Sequence, residues 1–138
     1  MTIALMVAIV VAAARPAEHP VVPRLLAAIR QVESAGNDRA VGDAGRSLGP
    51  YQITLAYWLD AGRSSATYHR DVWSPAISAL TVRAYWRRYC PSTLAAGNWR
   101  VLAAVHNAGP GAGRRAQSPE YVRRIRRAMR GQHRWVTH

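Results

Sequence analysis

Two carboxyl groups near the start of the chain, those of Glu33 and Asp43, are the groups best suited to acid–base chemistry. Leu26 and Ile29 lie two turns and one turn before Glu33, so its side chain points toward the face that the helix buries. Burial favours a protonated carboxyl group, which can donate a proton to a poor leaving group such as a glycosidic oxygen. Asp43 follows in a glycine-rich loop, whose backbone can bring a second carboxylate to the same bond. Taken singly, Glu33 could be a solvated residue and Asp43 a turn former.

The elements that must position these groups are predicted to be mostly helical. Apolar spacing predicts a first helix in Val21–Gly36, followed by an irregular loop or small β-hairpin in Asp38–Gly49. A second helix is predicted from Pro50 to Gly62, and Arg63–Trp73 is a polar stretch. Cap residues predict three more helices, which begin after Ser74, Asn98 and Ser118; the last carries an apolar stripe of Val122, Ile125 and Met129. The predicted fold class is therefore mainly α, a single compact domain over residues 21–131.

The composition indicates an exported, strongly basic protein. Nineteen arginines, no lysine and seven acidic residues give the 138-residue chain a net charge of +12. This charge favours binding to polyanions, meaning nucleic acid, anionic membrane or cell-wall polymer.

Ile3–Ala14 is apolar but too short to span a bilayer, which needs about 20 residues. Residues 1–14 are therefore predicted to be a signal peptide, with an N-terminal membrane anchor or a misplaced start site as alternatives, and the protein to be secreted or periplasmic. Residues 132–138 form a C-terminal tail. Cys90 is the only cysteine, so neither an internal disulfide nor a cysteine-based metal site is possible.

Five short motifs follow one another along the chain between Leu25 and Met129. They are Val32–Gly36 (VESAG), Asp43–Ile53 (DAGRSLGPYQI), Tyr57–Asp60 (YWLD), Tyr85–Tyr89 (YWRRY) and His106–Gly111 (HNAGPG). This ordered set resembles the invertebrate-type, or destabilase-like, lysozymes. Animal members of that family contain many disulfides, which this chain lacks.

The resemblance implies an α+β lysozyme-like fold and a muramidase, which hydrolyses the β-1,4 bond between N-acetylmuramic acid and N-acetylglucosamine in peptidoglycan. It implies Glu33 as the general acid and Asp43 as the nucleophile or cation-stabilising carboxylate. The implied substrate-binding residues are Ser34, Tyr51, Gln52, Tyr57, His106 and Asn107. Asp60 is expected to have a structural partner rather than a catalytic task. No metal or organic cofactor is implied, and the expected partners of this monomer are peptidoglycan glycan strands.

Two other interpretations remain open. The same segments resemble the lytic transglycosylase domain, which uses one catalytic glutamate and gives 1,6-anhydro products; Asp43 and the Tyr57–Asp60 motif favour the hydrolase. Alternatively, the chain is a non-catalytic cationic protein, in which Arg114, Arg115 and the arginines of Arg123–Arg134 bind an anionic envelope polymer or nucleic acid. The sequence contains no nucleic-acid-binding motif, so no specific nucleic acid is predicted. In an enzyme, the same arginine-rich surface would bind anionic cell-wall or envelope polymers.

Overall fold

Helices joined by short turns make up most of the part of the chain that the structure describes. The computed structural model describes residues 15–113 and 119–132, so the predicted signal peptide or anchor, the Ser118 cap, Arg114, Arg115 and residues 133–138 lie outside it. The α-helices are α1 (Val21–Ser34), α2 (Leu55–Asp60), α3 (Ser65–Asp71), α4 (Pro75–Tyr89), α5 (Pro91–Ala96), α6 (Trp99–Ala108) and α7 (Pro119–Gly131). The strands are β1 (Val41–Gly42) and β2 (Ser47–Leu48), and Asp43–Gly45 and Pro110–Gly113 form 3-10 turns.

The core lies where α1 packs against α7 and α6. The buried face of α1 consists of Val22, Leu25, Leu26, Ala28 and Ile29. The buried residues of α7 are Tyr121, Ile125 and Met129, whereas Val122 of the predicted stripe is only half-buried. Spacing of four residues explains the difference, because 121, 125 and 129 follow one ridge of the helix surface. The end of α1 that carries Glu33 is therefore fixed by the core itself.

The second helix begins later than predicted. Pro50 lies in a turn, closed by the hydrogen bonds that Leu48 and Ile53 exchange through their backbones at 3.1 and 3.0 Å. The Thr54 hydroxyl then caps α2 by accepting a hydrogen bond from the Tyr57 N–H. The predicted polar stretch after Gly62 contains a helix, α3, which is capped by Ser64. Ser74 and Asn98 cap α4 and α6 as predicted.

A small antiparallel hairpin follows α1. Val41 lies opposite Leu48 and Gly42 opposite Ser47, with the Asp43–Gly45 turn between the two strands. The prediction of a mainly α domain with a small hairpin after the first helix is therefore confirmed. Among the described residues, no helix combines the length and the apolar character needed to cross a membrane.

Candidate active site

A cleft of about 550 Å³ lies between the end of α1, the hairpin and the helices α2, α4 and α6. The residues that line it fall into two groups, apart from Thr54, the cap of α2. The helical wall comprises Glu33, Ala56, Tyr57, Asp60, Tyr85, His106, Asn107, Ala108 and Gly109. The hairpin wall comprises Gly42, Asp43, Ser47 and Gln52. The cleft thus brings the two predicted catalytic carboxyl groups together with Gln52, Tyr57, His106 and Asn107.

Glu33 is held in the helical wall by a tyrosine from the far end of the chain. Its side chain is 19% exposed and lies in the last turn of α1, which Ala35 ends with a left-handed backbone conformation (φ 51°). The Tyr121 hydroxyl donates a hydrogen bond of 2.7 Å to Glu33 Oε1. Burial raises the pKa of Tyr121 far above its usual range, and the Glu33 carboxylate contributes to the increase, so the hydroxyl remains a donor. Sequence reasoning did not identify Tyr121 as a site residue.

His106 is a buried, neutral residue beside Glu33. Desolvation lowers the pKa of His106, although the negative charge of Glu33 opposes this effect. Its Nε2 lies 3.2 Å from the Tyr51 carbonyl oxygen, which can only accept a hydrogen bond, so Nε2 carries the hydrogen. Its Nδ1 then accepts a hydrogen bond of 3.0 Å from the Tyr57 hydroxyl. Nε2 is 3.7 Å from Glu33 Oε1, and the lowered pKa of His106 favours a neutral ring over an imidazolium beside the carboxyl group.

Two stacked tyrosine rings form part of the helical wall. The rings of Tyr57 and Tyr85 are stacked, with centroids 3.8 Å apart and an interplanar angle of 10°. Burial raises the pKa of Tyr57 well above its ordinary value, so its hydroxyl stays protonated and donates to His106. Tyr85 is buried, whereas Tyr57 is half-buried, and the pKa of Tyr85 is raised to about 12. Flat aromatic surfaces beside polar groups are a common composition for ligand-binding clefts.

The hairpin wall is built from an unusual backbone. Asp43 is exposed and has φ 49°, Ala44 has φ 55° and Gln52 has φ 51°, a region that residues other than glycine rarely adopt. The Ser47 hydroxyl donates a hydrogen bond of 2.5 Å to Asp43 Oδ2. The Gln52 side chain donates to the carbonyl oxygens of Ala40 at 3.2 Å and Gly49 at 3.0 Å, which joins the hairpin to the following turn.

Two of the predicted substrate-binding side chains lie elsewhere. Ser34 donates a hydrogen bond of 2.9 Å to the Arg30 carbonyl oxygen one turn earlier. The Tyr51 side chain is buried in the core, and its backbone carbonyl is the part that contacts His106. Neither residue lines the cleft. Their predicted contacts with substrate therefore stay predictions.

A second cavity, of about 530 Å³, shares Asp43, Thr54 and Ala56 with the cleft. It continues past Arg46, Leu55, Tyr68 and His69. Because the two cavities share three lining residues, they lie next to each other. Among the described residues, no group of three or more histidine, cysteine or acidic side chains could hold a metal ion.

Several named lysozymes are similar to part of this chain. Lysozyme 1 of Crassostrea virginica is 32% identical over 79 residues, 57% of this chain and 43% of that protein. The lysozyme of Ostrea edulis is 34% identical over 68 residues, 48% of this chain and 50% of that protein. The lysozyme of Meretrix lusoria is 31% identical over 81 residues, 59% and 66% of the two chains. The matched part of the chain thus spans about half the length of each of the first two relatives.

A family model covers much more of the chain than these relatives do. The model described as the transglycosylase SLT domain matches residues 11–128, which include α1 with Glu33, the hairpin and most of α7. The lysozyme relatives agree with the resemblance to invertebrate-type lysozymes, and the family model agrees with the resemblance to lytic transglycosylases. Because the match extends over most of its length, the chain belongs to the transglycosylase SLT domain family.

Proposed function

We propose that this protein is a lysozyme that hydrolyses the β-1,4 bond between N-acetylmuramic acid and N-acetylglucosamine in peptidoglycan. The observation that carries the proposal is the setting of Glu33, a poorly exposed carboxyl group that accepts a hydrogen bond from Tyr121 at the edge of a cleft. The two adjoining cavities, of about 550 and 530 Å³, are compatible with several sugar units of a polymer. The lysozyme relatives and the family match support the same substrate class.

The contacts of Glu33 suit a general acid. Tyr121 donates to Oε1, so in the protonated carboxyl group the hydrogen would lie on Oε2, which can donate it to the glycosidic oxygen. The neutral state of His106 matters here, because an imidazolium at 3.7 Å would favour the ionised carboxylate. After the leaving group departs, the Glu33 carboxylate would accept a proton from the incoming water.

Asp43 is the proposed second carboxylate. It would stabilise, or form a covalent bond to, the positively charged sugar that develops as the glycosidic bond breaks. Its position in the lining of the same cleft supports this role, and so does its hydrogen bond from Ser47, which orients one carboxylate oxygen. The other oxygen, Oδ1, would face the sugar.

A lytic transglycosylase is the second candidate, and the description of the matching family favours it. In that reaction Glu33 first protonates the leaving oxygen and then, as a carboxylate, removes the proton of the 6-hydroxyl group of the same muramic acid. The 6-oxygen attacks the anomeric carbon in place of water, and a 1,6-anhydro ring forms. Asp43 has no required part in that reaction.

Mass spectrometry of the products made from purified peptidoglycan tests these proposals. The wild-type chain, Glu33→Gln and the control Asp71→Asn, which removes one carboxylate outside the cleft, would be compared. We expect reducing muropeptides from the wild type and the control, and activity at least about 100-fold lower from Glu33→Gln, since general acid catalysis contributes about 10²–10⁴-fold. Products lighter by one water would identify a transglycosylase. Cleavage by none of the three proteins would favour the non-catalytic cationic protein.

Asp43→Asn separates the two catalytic mechanisms from each other. For the lysozyme we expect a loss of about 100-fold or more, because an amide can neither form the covalent bond nor supply the negative charge. If Asp43→Asn retains nearly full activity while Glu33→Gln has none, the two-carboxylate mechanism is wrong. The same peptidoglycan assay measures both variants.

The arginine-rich surface is proposed to bring the enzyme to its substrate. Arg123, Arg124, Arg126, Arg127 and Arg130 all lie on α7, together with one acidic residue, Glu120. We propose that a secreted or periplasmic monomer uses this surface to approach anionic cell-wall or envelope polymers, and not specific nucleic acid. The attraction should weaken as salt rises, since the screening length falls from about 10 Å at 0.1 M to about 3 Å at 1 M.

A further inference from the structure

Asp60 is an acidic residue of the cleft whose carboxylate pairs with no arginine among the described residues. Four of the seven acidic residues form ion pairs with arginine: Glu18 with Arg83, Asp38 with Arg30, Asp71 with Arg70 and Glu120 with Arg123. The other three, Glu33, Asp43 and Asp60, all line the cleft. Tyr121 and Ser47 donate hydrogen bonds to the first two. Within residues 15–113 and 119–132, the Asp60 carboxylate takes part in no hydrogen bond or ion pair, so the structural partner expected for it is not found there.

The position of Asp60 at the end of α2 is unfavourable for its negative charge. It is the last residue of α2, and a negative charge at the C-terminal end of a helix is unfavourable. The nearby Arg88 donates a hydrogen bond of 2.7 Å to the backbone carbonyl oxygen of Asp60 and not to the carboxylate. The side chain is only partly exposed. A carboxylate that lines a cleft and forms no hydrogen bond or ion pair among the described residues is a candidate for binding a ligand.

The surroundings of Asp60 fit a sugar. Asp60 lies one turn after Tyr57 on α2, and the Tyr57 ring stacks on Tyr85. Asp60 and Tyr85 line the same cleft, and the negative charge of Asp60 is one of the causes that raise the pKa of Tyr85, after burial and the neighbouring Tyr89. A carboxylate is an acceptor only, so its complement is a group with O–H or N–H donors. A sugar offers such donors around its edge and an apolar C–H face for an aromatic ring.

We propose that Asp60 is a substrate-binding residue that accepts hydrogen bonds from the hydroxyl and amide N–H groups of a neutral amino sugar in the cleft. This inference rests on the proposed function for its substrate class, but it concerns binding and not bond cleavage. Asp60 would hold a sugar by the part of the helical wall that contains Tyr57 and Tyr85. It would therefore set affinity for the glycan and leave the proton transfer to Glu33.

Calorimetric binding of a hexamer of β-1,4-linked N-acetylglucosamine tests the proposal. Glu33→Gln would be the parent, so that the sugar is not cleaved during the titration. Adding Asp60→Asn should weaken binding about tenfold, the loss expected for one hydrogen bond to a charged group. Adding Asp71→Asn, which removes the same charge outside the cleft, should leave the dissociation constant within about twofold of the parent. Equal affinities of the Asp60→Asn and Asp71→Asn double variants would overturn the proposal.

Thermal unfolding and kinetics separate a binding role from a structural one. Asp60→Asn should unfold at the same temperature as the wild type or higher, since it removes an unpaired charge from a helix end. Its KM for peptidoglycan should rise about tenfold with kcat within about twofold. A melting temperature several degrees lower would show a structural role and overturn the proposal.

The same measurements keep this proposal distinct from the proposed function. If the hexamer binds Glu33→Gln in an Asp60-dependent way but the wild type cleaves no peptidoglycan, the proposed function fails and the binding role of Asp60 stands. If the wild type cleaves peptidoglycan and Asp60→Asn binds the hexamer normally, the inference about Asp60 fails alone. No binding by the parent would overturn the sugar-binding role as well.

Discussion

The two walls of the cleft are held in place by different means. Hydrogen bonds between side chains hold the helical wall in place. His106 joins the Tyr57 hydroxyl to the Tyr51 carbonyl oxygen, and the Tyr121 hydroxyl donates a hydrogen bond to Glu33. The hairpin wall has few buried side chains and left-handed backbone conformations at Asp43, Ala44 and Gln52. Hydrogen bonds to backbone carbonyl oxygens, such as those from the Gln52 side chain, hold it in place.

The difference shows which wall can fix a reacting group accurately. A carboxyl group on a helix whose other face is in the core has little freedom, and a buried hydroxyl partner reduces it further. A strained backbone persists only when its surroundings hold it, so the position of Asp43 depends on a few anchoring contacts. Loss of one contact in the helical wall should therefore lower the catalytic activity and leave the stability of the fold nearly unchanged. Loss of one contact in the hairpin wall should lower the stability of the fold and change the catalytic activity little.

The largest effect is expected where the hairpin wall is anchored, at Gly49. Its φ is 77°, its N–H donates to the Ala40 carbonyl at 2.8 Å, and a Cβ there would overlap the Val72 carbonyl oxygen. Gly49→Ala combines left-handed strain with a clash against backbone, so we expect a loss of about 3 kcal/mol in the free energy of unfolding. Denaturant unfolding measures it.

Gly62→Ala is the matched control, because Gly62 also has a positive φ of 83° but has open space where the Cβ would lie. It should lose only about 1 kcal/mol, from strain alone. Equal losses at the two positions would mean that the contact with Val72 does not anchor the hairpin wall.

Three helices, α1, α4 and α6, were predicted from local sequence signals, whereas α3 and α5 were not predicted. The apolar face of α1 predicts both the helix and the direction of Glu33, and Ser74 and Asn98 mark the starts of α4 and α6. The start of α2 was predicted wrongly at Pro50. Proline fits a turn as well as a helix start, and the bridge between Leu48 and Ile53 that selects the turn is a tertiary feature.

The site was harder to predict than the fold, for a physical reason. Tyr121 is separated from Glu33 by 88 positions, and only the packing of α7 on α1 brings the two together. Periodicity could have found its position, since it precedes Ile125 by four residues, but not the target of its hydroxyl. Positive φ at Ala44 and Gln52 has no sequence signal at all, because these residues rarely adopt it.

The next largest effect tests the helical wall, through Tyr121→Phe. This change removes the hydroxyl that donates to Glu33 and keeps the buried ring. We expect kcat/KM on peptidoglycan to fall about tenfold, as for one lost hydrogen bond to a charged or reacting group, with the melting temperature nearly unchanged. Tyr89→Phe, on a half-buried tyrosine outside the cleft lining, should have no effect on kcat/KM. A large loss of stability in Tyr121→Phe would contradict the comparison of the walls.

A smaller effect should appear as a loss of stability at acid pH that arises from His106 in the helical wall. The pKa of buried His106 lies below its ordinary value of 6.5, so below pH 6.5 the unfolded chain binds a proton that the folded chain does not. Stability should therefore fall as the pH drops from about 6.5, with a slope of at most about 1.4 kcal/mol per pH unit. The lowered pKa values of Glu18, Asp71 and Glu120 act only at lower pH, as these carboxylates protonate.

His106→Gln removes the titrating group and can still accept from Tyr57 and donate to the Tyr51 carbonyl. Urea unfolding at pH 7, 6 and 5 should give a flatter profile for this variant than for the wild type. His69→Gln, at an exposed position, should keep the wild-type profile. Parallel profiles for wild type and His106→Gln would show that burial of His106 does not control this pH range.

The smallest effect is expected for Ser47→Ala, which is the counterpart of Tyr121→Phe in the hairpin wall. Each change removes one hydroxyl that donates to a cleft carboxylate, at 2.5 Å from Asp43 Oδ2 and 2.7 Å from Glu33 Oε1. Asp43 is exposed, so water can replace the lost donor, whereas Glu33 is mostly shielded. We therefore expect kcat/KM to fall only about twofold, against about tenfold for Tyr121→Phe. If Ser47→Ala loses as much activity as Tyr121→Phe, a side-chain contact and not the strained backbone fixes Asp43, and the two walls work in the same way.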